Sequence, residues 1–231
     1  MNDARRLFTS YDEAWGWFTA GGAIETSEER RERFTRGRAQ FVTFQAPIEN
    51  RDVLTFIDRV HAALDGMPSL TPQERDLLHI SVRGVGFQVL KRQHGDEVQR
   101  EEIGRIGERA ARILKGVRSF EASFGPVNVF PDALILEVHD EGRFAAIRAT
   151  LREAVAADSL IDDAHYLPHC TIASFAANAL NEDVRARITE LRDWPRVTAE
   201  VRRIDLARWW FTGFDERASV ELETVRSYVL R

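Results

Sequence analysis

Residues 166–175 read YLPHCTIASF. Leu167, Cys170, Ile172 and Phe175, with a proline ahead of them, predict a strand bound for a core, yet His169 and Thr171 sit inside it. Side chains alternate across a strand, so His169 and Thr171 face one way while Cys170 and Ile172 face the other. The apolar pair can pack inward while the imidazole and hydroxyl line a shared surface. An edge strand facing water would look the same, so one copy decides nothing.

A second copy stands earlier, in LLHISVRGVGF, residues 77–87. His79 and Ser81 are again two apart, Leu78, Ile80 and Val82 take the opposite face, and Arg83 continues the polar one. Each half of the chain runs strand, helix, histidine-bearing strand, helix. The repeat is one of pattern, since identity between the halves is low. If a pseudo-twofold axis relates the halves, the two imidazole–hydroxyl pairs face each other across a cleft.

The chemistry of such a cleft follows from its groups. Imidazoles titrate near neutral pH, at roughly 6.5 when unperturbed. One can take a proton from an attacking water while the other gives one to a leaving oxygen. Two hydroxyl donors suit an anion between them, and Arg83 would add a fixed positive charge. Phosphodiester cleavage needs these parts and needs no metal when histidines handle the protons. The sequence carries no carboxylate cluster at metal-ligand spacing.

The remaining elements fit around these strands. AQFVTFQAP is a strand ending at Pro47, and residues 52–64 carry apolar groups at helical spacing. EEIGRIGERAARILKG predicts a helix stopped near Gly116, and GVGFQV after the first motif reads as a turn. SFEASFGPVNVFP predicts extended chain with turns, ALILEVHD a strand, and GRFAAIRATLREAV a helix. Residues 181–193 form a helix capped by Asn181, followed by two long strands, RVTAEVRRIDLARWWF and SVELETVRSYVLR. Residues 1–38 read as an extension of one or two helices, packed on the main domain or lying over a site as a lid. The alternation of strands and helices reads as α+β or α/β, without the regular rhythm of a doubly wound sheet, and the expected fold class is α+β.

At 231 residues the chain suits one large domain or two small lobes. A net charge of −5 argues against gripping long nucleic acid through its phosphates, though not against a cleft for a short or terminal nucleotide. No apolar run approaches the ~20 residues that span a bilayer, and the first residues lack the apolar core of a secretory signal. The single cysteine, Cys170, makes no internal disulfide, and a reducing cytoplasm is the expected setting.

The pairs HIS (79–81) and HCT (169–171) resemble the paired H-x-T/S motifs of the two-histidine (2H) phosphoesterase superfamily, whose bacterial members are described as RNA 2′,3′-cyclic phosphodiesterases or 2′-5′ RNA ligase-like proteins. QFVTFQAP, FGPVNVFPDALILEV and SVELETVRSYVLR are similar to other strands of that family, over about residues 40–231. The resemblance implies a bilobal, pseudo-twofold fold, with antiparallel-rich sheets around a central cleft and helices outside. It implies a 2H phosphoesterase domain over 39–231 behind the extension at 1–38. It makes His79 and His169 the acid–base pair and Ser81 and Thr171 the phosphate ligands. The implied reaction opens a 2′,3′-cyclic phosphate with water, without metal or cofactor. The expected substrate is an RNA end or a small nucleotide, with no DNA or membrane partner and a monomeric state. Ser81 stands where Thr is commoner, and Cys170 where a larger apolar residue is usual.

Tyr166 and Phe87, adjoining the motifs, are the preferred groups to stack a base, with Phe41, Phe44, Trp209 and Trp210 as further candidates. His165 could touch substrate, whereas His61 and His94 read as solvated. Cys170 faces away from His169, so it reads as a buried structural thiol rather than a nucleophile. Two rival functions stay open: a nucleotide- or RNA-binding protein that keeps the cleft without turnover, and a metal-dependent phosphohydrolase with the histidines as ligands.

Overall fold

The computed structural model describes residues 7–155, 165–212 and 219–231. Six α-helices and ten strands are defined among them. Two helices open the described chain, α1 (Tyr11–Thr19) and α2 (Ser27–Thr35). Next come β1 (Gln40–Pro47), α3 (Arg51–Ala63), β2 (Leu70–Pro72), β3 (His79–Val89) and β4 (Glu97–Gln99). After α4 (Arg100–Leu114) follow β5 (Phe120–Phe130), β6 (Ala133–His139), α5 (Arg143–Thr150) and β7 (His169–Phe175). The chain closes with α6 (Glu182–Arg192), β8 (Val197–Val201), β9 (Arg203–Thr212) and β10 (Ser219–Val229).

All ten strands share one sheet, in the order β10-β9-β1-β3-β7-β6-β5-β8, with β2 on β7 and β4 on β3. Every pairing along that path is antiparallel. The order is palindromic in role: four strands end at the first histidine strand and four begin at the second. These two strands meet at one described residue pair, Ile80 opposite Cys170. The expected bilobal, pseudo-twofold α+β architecture is present, built from one continuous sheet whose halves touch at a seam.

Helix boundaries follow local chemistry. Asn181 caps α6 by accepting from Val184 N at 2.9 Å, and Val184, Ile188 and Leu191 place its apolar stripe in the core. Asn50 caps α3 in the same way, accepting from Asp52 N and Val53 N. Thr26 and Glu29 form a reciprocal capping box at α2. The longer C-terminal stretch divides at Arg202 into β8 and β9. The expected turn at GVGFQV is instead strand: β3 runs through Gly84 and Gly86 to Val89.

Each half of the sheet is covered on its cleft side by an N-terminal helix. On β6, Leu134, Leu136 and Val138 enter the main core, while Ala133 and Ile135 pack with Phe8 and with Ala14 of α1. On β1, Val42, Phe44 and Ala46 enter the main core, and Phe41 on the other face meets Phe34 of α2 at 4.9 Å between ring centroids. Both faces of these strands are therefore buried, and β6 accordingly opens on a continuous apolar run, Ala133 to Leu136, while β1 buries Thr43 and Gln45 as well. Among the described residues no helix is long and apolar enough to cross a membrane.

Candidate active site

His79 and His169 both line a cavity of about 300 Å³ at the seam, together with Ser81 and Thr171. The two imidazoles are held alike. His79 Nδ1 lies 2.8 Å from Leu77 O and His169 Nδ1 lies 2.7 Å from Leu167 O, each the carbonyl two residues upstream. A carbonyl only accepts, so Nδ1 carries the proton and Nε2 is the nitrogen left to titrate. Each ring is also backed by an aromatic, His79 by Trp209 at 4.7 Å and His169 by Phe130 at 4.8 Å. Trp209 is itself fixed, its Nε1 donating to Gln45 Oε1 at 2.9 Å.

His79 Nε2 lies 3.0 Å from Ser81 Oγ, so the hydroxyl donates to the neutral ring. Burial pushes the His79 pKa down to about 4, and the charges of His169 and Arg30 push the same way against the opposing bond to Leu77. The ring is therefore neutral at pH 7, with its Nε2 lone pair unprotonated and turned to Ser81. On the other face of β7, burial raises the Cys170 thiol to about 12, as suits a structural side chain.

The fixed cation is not the one that alternation selects. Opposite β1 the register steps from Ser81 to Arg83, and opposite β6 it steps from Thr171 to Ala173. Each histidine strand thus carries an irregularity directly after its motif. The first turns Arg83 to the face of its partner Phe44, away from Ser81. Arg83 is buried there, donating to Val155 O at 2.9 Å, and does not line the cavity among the described residues. Arg148 of α5 takes the place beside the motif, its Nη1 2.8 Å from Val82 O and its guanidinium 4.6 Å above the Tyr166 ring.

The aromatic expectations divide. Tyr166 lines the cavity and donates to Ser81 O at 3.0 Å, so it braces the first motif. Phe87 does not line it: the ring is 1% exposed, packed against Phe34 and Phe41 with Arg38 3.7 Å above it. Phe41 and Trp209 line the cavity, whereas Phe44 lies in the core and Trp210 outside. His165 lines the cavity as well. His61 is partnered rather than simply solvated, its Nε2 2.7 Å from Ile172 O. Sequence reasoning missed Arg148, Phe130 and the N-terminal residues Phe8, Arg30, Arg31 and Phe34, because no local pattern ties a distant helix to a motif. Among the described residues no three His, Cys, Asp or Glu side chains stand close enough to hold a metal ion.

Comparison with known proteins decides the family. The profile of the 2′-5′ RNA ligase superfamily matches residues 71–210, more than half the chain and both motifs. The chain belongs to the 2′-5′ RNA ligase superfamily. No curated protein matches its sequence. Among solved structures, this superfamily member is similar to Escherichia coli LigT in apo form, at a TM-score of 0.59 and 15% identity over 84% of this chain and 99% of that one. TT0787 of Thermus thermophilus matches at 0.58 and 16% identity, over 83% and 98% of the two chains. A structure described as a phosphoesterase matches at 0.60 and 15%, over the same shares. At these identities the likeness is one of fold. E. coli LigT has also been solved with phosphate and with 3′-AMP.

Proposed function

We propose that this superfamily member is a cyclic phosphodiesterase that opens a 2′,3′-cyclic phosphate, on an RNA end or a small nucleotide, by two-histidine acid–base catalysis without a metal. One observation carries this reading: the matched imidazoles, each with Nδ1 committed to a carbonyl and each beside a hydroxyl, in one cavity at the seam of the sheet. The complexes of E. coli LigT with phosphate and 3′-AMP support a cleft of this fold accepting a nucleotide phosphate.

His79, neutral with a low pKa, is the base, and His169 is the acid. Water attacks phosphorus and loses a proton to His79 Nε2. The bond from phosphorus to one ribose oxygen breaks in line, and that oxygen takes the proton from His169 Nε2. The product is a phosphomonoester with a free neighbouring hydroxyl. Proton exchange with solvent then resets both rings. Ser81 and Thr171 donate to the non-bridging oxygens, so the Ser81 hydroxyl turns from Nε2 to phosphate as the water proton takes its place.

The test uses 2′,3′-cyclic nucleotides and a short RNA with a cyclic phosphate end, with a strong chelator present. His79→Ala and His169→Ala should each lower turnover by ~10²–10⁴-fold. Equal rates for wild type and variants would refute the reading. Tight binding without turnover would instead indicate a nucleotide-binding protein, and loss of wild-type activity in chelator a metal-dependent phosphohydrolase.

A further inference from the structure

α2 has the spacing of a helix that faces a core, with side chains unsuited to one. Ser27, Arg30, Arg31 and Phe34 recur at i, i+3, i+4 and i+7, which places them on one face. That face fronts the cavity of the two histidines. Glu28, Glu29 and Glu32 take the other side and are exposed, so the helix segregates its charges, cations inward and anions outward.

The helix is anchored at both sides of the cleft. Phe34 packs on Phe41, Phe87 and Phe211 of the first half at centroid distances of 4.9, 5.1 and 6.1 Å. Arg30 Nε reaches Asp132 Oδ2 at 3.1 Å, in the tight turn between β5 and β6 of the second half. The segment just before α2 holds the same turn, Glu25 N donating to Pro131 O at 2.7 Å. Arg33 binds Glu25 through two contacts of 2.6 Å and so braces this segment. α2 is thus a fixed bridge over the cleft.

A guanidinium offers five donors in a planar fork that matches phosphate, and one Nε contact to Asp132 does not exhaust those of Arg30. The Arg30 charge is also among those that oppose a proton on His79, so it acts within electrostatic reach of that imidazole. The superfamily match begins at residue 71, downstream of these arginines, and so does not account for them.

We propose that Arg30 and Arg31 form a second anion subsite in this cleft, which reads a phosphoryl group of the substrate other than the one at the histidines. This rests on the reading that the histidine pair acts on a nucleotide phosphate. It narrows the substrate class to nucleotides that carry a 5′-phosphate or an upstream phosphodiester beside the cyclic phosphate. A nucleoside 2′,3′-cyclic phosphate with no other phosphate leaves the subsite unused.

Two measurements test this on the full chain. In the first, kcat/KM is compared for adenosine 2′,3′-cyclic phosphate and for the same compound bearing a 5′-phosphate. Wild type should prefer the 5′-phosphorylated substrate by about tenfold or more, the scale of one charge-assisted hydrogen bond. Arg31→Gln, which leaves the Arg30–Asp132 pair intact, should bring that ratio toward one, and R30Q/R31Q further. A wild type without preference, or a ratio unchanged in both variants, overturns the subsite. In the second, calorimetry compares adenosine 3′,5′-bisphosphate with 3′-AMP, which needs no turnover. Wild type should bind the bisphosphate about tenfold more tightly, and R31Q should lose that margin. Equal wild-type affinities overturn the subsite. Absence of turnover on both cyclic compounds, with the bisphosphate margin present, overturns the reaction and leaves the subsite standing. Thermal melts followed by circular dichroism confirm that each variant compared is folded.

Discussion

At the scale of single residues, His79 ties environment to pH response. Its ring is enclosed by Trp209, Leu77 O and Ser81, and burial is the main cause of the fall to about 4. An unfolded histidine titrates at roughly 6.5. Between these values the unfolded chain binds a proton that the folded chain refuses, so stability rises with pH there. The contribution of His79 is complete above about 6.5 and is lost as pH falls through about 4. Activity obeys the same sign, because a proton on the base removes its lone pair. The acid limb of kcat/KM should therefore fall near pH 4, well below that of an ordinary histidine, and a pH–rate profile reads this directly. A limb near 6.5 would remove His79 from the role of base.

At the scale of elements, the histidine strands share an alternation and share the place where it fails. Each keeps period two through its motif and slips immediately afterwards. The slip lets a strand present two polar groups to the cleft and then return to packing. On β3 the strand continues through Gly86, whose φ of 142° and close neighbour require glycine. A Cβ there would lie 2.8 Å from Asp96 O, the carbonyl that accepts from Phe87 N where β3 and β4 join. Gly86→Ala should destabilise the fold by ~1–3 kcal/mol, combining backbone strain with that clash. Urea unfolding followed by circular dichroism measures it, and a shift within ~0.5 kcal/mol, the scale of an ordinary surface change, would contradict this account.

At the scale of the whole molecule, one core joins all parts. Its buried cluster takes Phe18 and Ile24 from the N-terminal segment, Val42 and Phe44 from the first half, and Leu136 and Ile188 from the second. Tyr11 adds a polar tie, its hydroxyl donating to Pro168 O, directly ahead of His169, and accepting from Val138 N. Burial raises the Tyr11 pKa, which keeps that donor in place. Because β2, from the first half of the chain, pairs with β7 of the second and one core spans the seam, neither half keeps its packing when the other opens. Denaturant unfolding should be a single transition, with far-UV circular dichroism and tryptophan fluorescence coincident. Two separated transitions would show that the halves, or the N-terminal helices, hold together alone.

By itself the sequence determined the strands that carry the chemistry, the pairing of His79/Ser81 with His169/Thr171 and the α+β class, because alternation, caps and helical stripes are local and leave a local trace. It also put Cys170 on the face opposite His169, by the same period of two. Tertiary structure alone decided which cation stands by the motif, since the slip after Ser81 that turns Arg83 away depends on pairing with β1. Tertiary structure likewise brought Arg148, Phe130 and the cationic face of α2 to the cavity. In the sequence SEERRERFT reads as part of an extension that packs on the main domain or lies over a site, but nothing nearby reveals which of its faces meets the cavity. Spacing along a chain fixes which side chains share a face, but only packing between distant segments fixes what that face looks upon.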